Sequence, residues 1–163
     1  MYPNKLKQFS VVALSMLLCA TTISQKTAYA QTNTITICDA DYYWEETLTI
    51  ESNKVATFST RSTEQTKTAT KTYRLKNTSS GIVLATYTLK GTFSYGTGAP
   101  AKCTSAKYTT STSSSKTSFS AKAAYASNNQ AIGTFTLRNN TGLETEIVSK
   151  TLKITCSVNG DIS

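Results

Sequence analysis

From Thr86 onward, apolar and polar residues alternate with a period of two. Tyr87, Leu89, Gly91, Phe93 and Tyr95 fall on one side, and Thr86, Thr88, Lys90, Thr92 and Ser94 on the other. Successive side chains of a strand point to opposite faces, so this pattern predicts an antiparallel strand with one face on a core and one in water. Leu152, Ile154, Cys156 and Val158 repeat it against Thr151, Lys153, Thr155 and Ser157. Gly133, Phe135 and Leu137 form a third case, and Phe119, Ala121, Ala123 and Tyr125 a fourth. Turn-forming clusters separate the runs: Gly96-Thr97-Gly98, Ser127-Asn128-Asn129 and Asn139-Asn140-Thr141-Gly142. Short strands at such spacing predict an all-β fold, an antiparallel β-sandwich of immunoglobulin-like or similar type.

The earlier part is less regular. Thr34–Cys38 reads as a short strand, Leu48 and Ile50 belong to a second, and Val55 and Phe58 to a third. Thr60–Thr70 has no apolar anchor and reads as a loop or linker. Tyr73 and Leu75 open the next strand, which Asn77-Thr78-Ser79-Ser80-Gly81 turns into the long run from Ile82. The expected organisation is a sandwich core over 71–163, preceded by N-terminal strands and a polar loop over 31–70. That first part belongs to the same unit or packs loosely on it.

Residues 1–30 are read as an address rather than as structure. Lys5 and Lys7 precede the apolar run Val11–Ala20, and a polar stretch ends in Ala28-Tyr29-Ala30. This is the layout of a secretory signal peptide, with cleavage expected between Ala30 and Gln31. The run is shorter than the roughly 17–25 residues of a membrane-spanning helix. Leu18 before Cys19 argues against lipid attachment, which wants a small residue there. The expected location is secreted, extracellular, with no membrane span after processing and release rather than anchoring.

Charge is uneven along the mature chain. From Gln31 to Thr70 six acids meet three bases; from Lys71 onward three acids meet eleven bases. Bases such as Lys90, Arg138 and Lys153 sit at polar-face positions of predicted strands. They discourage edge-to-edge pairing, and they also create a field that attracts a polyanion. Because they are spread out rather than clustered, no nucleic-acid partner is expected; an anionic cell-envelope polymer or a surface protein is.

The chain has no His, which removes the central group of Ser-His, Cys-His and His-metal sites. Asp39, Asp41, Glu45 and Glu46 lack the turn glycine and terminal acid of a calcium loop. No catalytic residue, metal or cofactor is therefore expected. Tyr42-Tyr43-Trp44 is the candidate binding segment. Three adjacent aromatics cannot all enter one core, and exposed Tyr and Trp anchor sugar platforms and protein interfaces. The competing reading is that their rings brace two sheets. Asn77-Thr78-Ser79 and Asn139-Asn140-Thr141 match glycosylation sequons, which arise easily in a Thr-rich chain.

Five pieces in order carry a resemblance: Gly91-Thr92-Phe93-Ser94-Tyr95, Cys103-Thr104-Ser105-Ala106, Asn129-Gln130-Ala131-Ile132-Gly133, Leu152-Lys153-Ile154-Thr155-Cys156-Ser157, and Asn159-Gly160. The segment from about Gly91 to Ser163 resembles an uncharacterised family of small secreted β-proteins of Gram-positive bacteria. The resemblance implies one Cys after the GTF-Y strand and one in a closing T-C-S strand, and it implies no activity. Cys38 lies outside the pattern. Three Cys remain after processing, so one is left over. A Cys103–Cys156 bridge is expected, since both lie in the region of strongest alternation, with Cys38 free or intermolecular. Such a bridge is worth roughly 4 kcal/mol in the chain-entropy model.

Three classes of function follow. The first is a non-catalytic binding module at the cell envelope or in the extracellular space. The second is a self-associating structural or matrix-type protein. The third is a small hydrolase, against which the absence of His and of a nucleophile motif counts.

Overall fold

The computed structural model describes residues 26–39, 41–53, 64–96, 98–140 and 145–163. Strands β1 (Lys26–Asp39), β2 (Tyr42–Asn53), β3 (Gln65–Asn77), β4 (Val83–Gly96) and β5 (Ala99–Thr112) form one antiparallel sheet in that order. Strands β6 (Thr117–Ser127), β7 (Gln130–Asn140) and β8 (Thr145–Thr155) form the second. The expected all-β, antiparallel two-sheet architecture is what the chain builds. Within each sheet every strand pairs with its sequence neighbour, so both sheets are simple meanders rather than the Greek key of an immunoglobulin domain. Among the described residues no helix is long and apolar enough to cross a membrane.

The core lies between β2–β5 and β6–β8. Tyr87, Leu89 and Phe93 of β4 face Phe135 and Leu137 of β7 and Leu152 and Ile154 of β8, and all are buried. Phe135 is the centre of the ring cluster. It stacks on Tyr87 at 4.7 Å, meets Phe119 edge-on at 5.5 Å and lies 6.1 Å from both Trp44 and Tyr73. Offset and edge-on rings add about 0.5–1.5 kcal/mol per pair beyond their buried area. Two glycines let the sheets approach. A Cβ at Gly91 would stand 2.7 Å from the Cβ of Ala131, and one at Gly133 would stand 2.7 Å from the Tyr87 hydroxyl.

Several expectations need correction. Residues 65–70 are strand, not loop, so the division expected at residue 70 falls inside β3. The inner face of this stretch is occupied by Lys67, Ala69 and Lys71, in register with Phe93, Gly91 and Leu89. Lysines at inward positions conceal the alternation. They are accommodated because Lys71 Nζ pairs with Glu46 Oε1 at 3.0 Å and Lys67 Nζ donates to the Gly160 carbonyl while lying over the Tyr95 ring.

In β6 a bulge between Phe119 and Ala121 breaks the run read as one face. Phe119 packs on the core, whereas Tyr125 is 51% exposed. Val158 is exposed as well, because the last strand stops at Thr155. The chain then turns back through Gly160 (φ 84°), and Cys156 bridges Ile162.

The expected Cys103–Cys156 bridge is not formed. Both are buried free thiols. Each is engaged close by in its own segment: Cys103 Sγ donates to the Ser105 carbonyl at 3.3 Å and Cys156 Sγ to the Ser157 carbonyl at 3.4 Å. Their backbone N–H groups are held by the β6–β7 turn, by Asn128 O at 2.6 Å and Asn129 O at 3.0 Å. Burial pushes both thiols up from their ordinary pKa.

Ala30 and Gln31 lie on β1, in register with Thr49 and Leu48 of β2. The apolar run of the expected signal peptide, the expected strand around Val55 and Phe58, and the side chain of Cys38 lie outside what the structure describes.

Candidate functional site

The structure sends the three adjacent aromatics into three environments. Trp44 faces inward, is 4% exposed and stacks on Tyr73 at 4.7 Å. Trp44 is therefore core, and the expectation that it serves as a binding anchor is corrected. Tyr43 takes the outer face, where Lys76 Nζ sits 5.9 Å from its ring centre. Beside it, Glu45 accepts from Lys76 at 2.9 Å and from Arg74 at 3.3 Å. The hydrogen bond from Lys76 first, then the other charges of this pair of bases, hold the Glu45 carboxyl below its usual range. Tyr42, the first residue of β2, reaches the end of the sandwich and lines a cavity of about 350 Å³.

That cavity is built from the connections at one end of the two sheets. The β3–β4 turn is closed by Asn77. Its Oδ1 accepts from Ser79 Oγ at 2.7 Å, Ser80 N at 3.0 Å and Ser80 Oγ at 2.9 Å, and Gly81 supplies the positive φ of 67°. Thr78 N donates to the Asp41 carbonyl at 2.8 Å, tying this turn to the start of β2. The β5–β6 connection crosses beside it. Ser113 N donates to the Leu84 carbonyl at 2.9 Å, and Asn140 N donates to the Lys116 carbonyl at 2.9 Å.

Thr117 and Asn139, register partners on β6 and β7, are both buried and both line the cavity. Thr117 Oγ1 donates to Asn139 Oδ1 at 3.1 Å. The amide nitrogen Nδ2 of Asn139 is buried and has no hydrogen-bond partner among the described residues. A buried donor left unmade costs about 1–3 kcal/mol, so such a group is expected to have a use.

The wall is mixed in character. Tyr42, Ile82 and Leu84 contribute apolar surface; Ser79, Ser80 and Ser114 contribute hydroxyls; Lys116 contributes a positive charge. A concavity of this size that sets a few apolar contacts among many hydroxyl and amide groups suits a small polar ligand. Among the described residues no group of three His, Cys, Asp or Glu is placed to hold a metal ion.

The opposite end carries two larger, open hollows of about 700 and 860 Å³, which share Ala99, Pro100 and Val158. Cys103 borders the larger one. Cys103 and Cys156 thus lie at the end of the sandwich away from Tyr42.

Sequence reasoning placed Tyr42 in the candidate site but missed Asn139, Thr117 and Lys116. Asn77 and Asn139 did carry a signal, as turn residues and sequon matches. What converts them into a site is the meeting of the β3–β4 turn and the β5–β6 connection with the end of β7. No family model, curated protein or solved structure matches this chain.

Proposed function

We propose that the mature chain is a secreted, non-catalytic binding module that recognises an anionic cell-envelope polymer at the Tyr42 end of its sandwich. The observation that carries this reading is the cavity lined by Tyr42, Lys116 and the unpartnered amide of Asn139. Loops gathered at the end of a β-scaffold are where such domains place recognition, because the sheets hold them rigid while their sequence is free to vary. Charge supports the polymer as ligand. The chain from Lys71 onward is strongly basic, and Lys90 and Lys107 stand side by side on the exposed face of β4 and β5. The absence of His leaves general acid–base work to groups that need deep burial to be tuned.

The test is retention of the chain starting at Gln31 on isolated envelope material. Retention is expected at about 0.1 M salt and should be largely lost at about 1 M, where the screening length falls from about 10 to 3 Å. Lys116→Ala should weaken it at the lower salt. No retention at low salt, or retention indifferent to salt, overturns the reading.

A further inference from the structure

We infer that the cavity at the Tyr42 end takes an acetamido sugar, with the acetyl carbonyl accepting the hydrogen bond that Asn139 Nδ2 lacks. This rests on the envelope-binding reading above and names the unit of the polymer that enters the site.

The floor decides the chemistry. Asn139 is 5% exposed, and its Oδ1 is already committed to Thr117. Its remaining need is for an acceptor, supplied from the cavity that the residue lines. At so buried a place a neutral carbonyl is favoured over a carboxylate or phosphate. A charge taken out of water needs a close counter-charge to offset its desolvation. Lys116, the one cation among the described lining residues, is itself exposed, and Glu146, the register partner of Asn139 on β8, would oppose an anion there.

The wall fits the rest of the group. Ile82 and Leu84 offer apolar contact to the acetyl methyl, and Tyr42 offers a ring face to the sugar. Ser79, Ser80 and Ser114 line the cavity too; the first two hydroxyls donate to Asn77 Oδ1 and so offer their oxygens as acceptors to sugar hydroxyls. Lys116 at the rim is then free to meet an anionic group on the neighbouring unit of the polymer.

The experiment is titration of the chain starting at Gln31 with N-acetylglucosamine, glucosamine and glucose, followed by saturation-transfer and chemical-shift NMR. N-acetylglucosamine is expected to bind with its methyl group most strongly saturated, and the sugars lacking the acetyl group about tenfold more weakly, the worth of one good hydrogen bond with its contact. Asn139→Leu should abolish that preference. Because this change also breaks the bond to Thr117, Ile82→Ser is the second variant; Ile82 is 58% exposed, so the thermal midpoint should stay close to that of the unchanged chain while binding of N-acetylglucosamine weakens.

Equal binding of glucose and N-acetylglucosamine overturns the inference. So does the absence of all three from the cavity when envelope retention persists, an outcome that leaves the envelope reading standing. Loss of envelope retention with intact sugar binding overturns the envelope reading and keeps the site.

Discussion

Tyr87 shows how much one side chain decides. Its ring lies in the core, its hydroxyl donates to the Ala123 carbonyl at 2.6 Å, and that hydroxyl occupies the space a Cβ on residue 133 would fill. Gly133→Ala should therefore cost about 1–3 kcal/mol through overpacking. Tyr87→Phe should cost about 1 kcal/mol for the lost hydrogen bond. Combined, they should cost less than their sum, because the phenylalanine removes the atom that the new methyl meets. Denaturant midpoints of the four chains check this; strict additivity would disprove the contact.

Desolvation, and to a smaller degree Tyr108, push the Tyr87 pKa up to about 12 from an ordinary 10.0. The folded state then holds this proton more tightly than the unfolded state. The associated stability is complete below about pH 10 and disappears as pH rises toward 12. Tyr87→Phe should flatten that alkaline decline.

At the scale of elements, the strands fall into those the alternation predicts and those it hides. β4, β7 and β8 were legible because their inner faces carry large apolar residues, as Tyr87, Leu89 and Phe93 do on β4. The first half of β3 was not. Its inner positions Lys67 and Lys71 are satisfied by the Gly160 carbonyl and by Glu46, contacts that exist only after distant segments have come together. The face of β6 was misjudged because a bulge shifts it by one residue, and a shift of one sends every later side chain to the other side.

The cysteines belong to this scale too, since Cys103 on β5 and Cys156 just after β8 are buried free thiols, each donating to a carbonyl close by in its own segment. With Cys38 replaced by Ser, the chain from Gln31 should show no fast-reacting thiol toward Ellman's reagent, and two after unfolding in guanidinium. Rapid reaction in the native state would contradict the burial, and no thiol after unfolding would reveal a bridge.

Over the whole molecule, a five-stranded meander packs on a three-stranded one so that the β3–β4 turn, the β5–β6 connection and the end of β7 gather at one end. The N-terminal strand β1 extends across the expected processing point, with Lys26–Ala30 paired to Thr49–Asn53 of β2. Removal of residues 1–30 would shorten this edge strand while leaving its pairing from Gln31 onward in register. The exported protein is expected to begin at Gln31 by mass analysis, with an unfolding midpoint supported by β1 from that residue. An exported form that keeps residues 11–20 would refute the signal-peptide reading.

Fold class, most strand positions and the turns are legible in the residues alone, because a period of two and clusters of Asn, Ser and Gly act locally, through side-chain direction and backbone preference. So are the charge balance and the lack of histidine that bear on function. Tertiary structure alone decided that Trp44 is core while Tyr42 is not, that Cys103 and Cys156 remain free thiols, and that Asn139 and Thr117 meet Lys116 at one cavity. These depend on which segments lie side by side. Asn139 and Tyr42 are far apart in sequence and share a site only because strands from two sheets end at the same place. No local pattern encodes that meeting; the packing of one apolar face against the other brings it about.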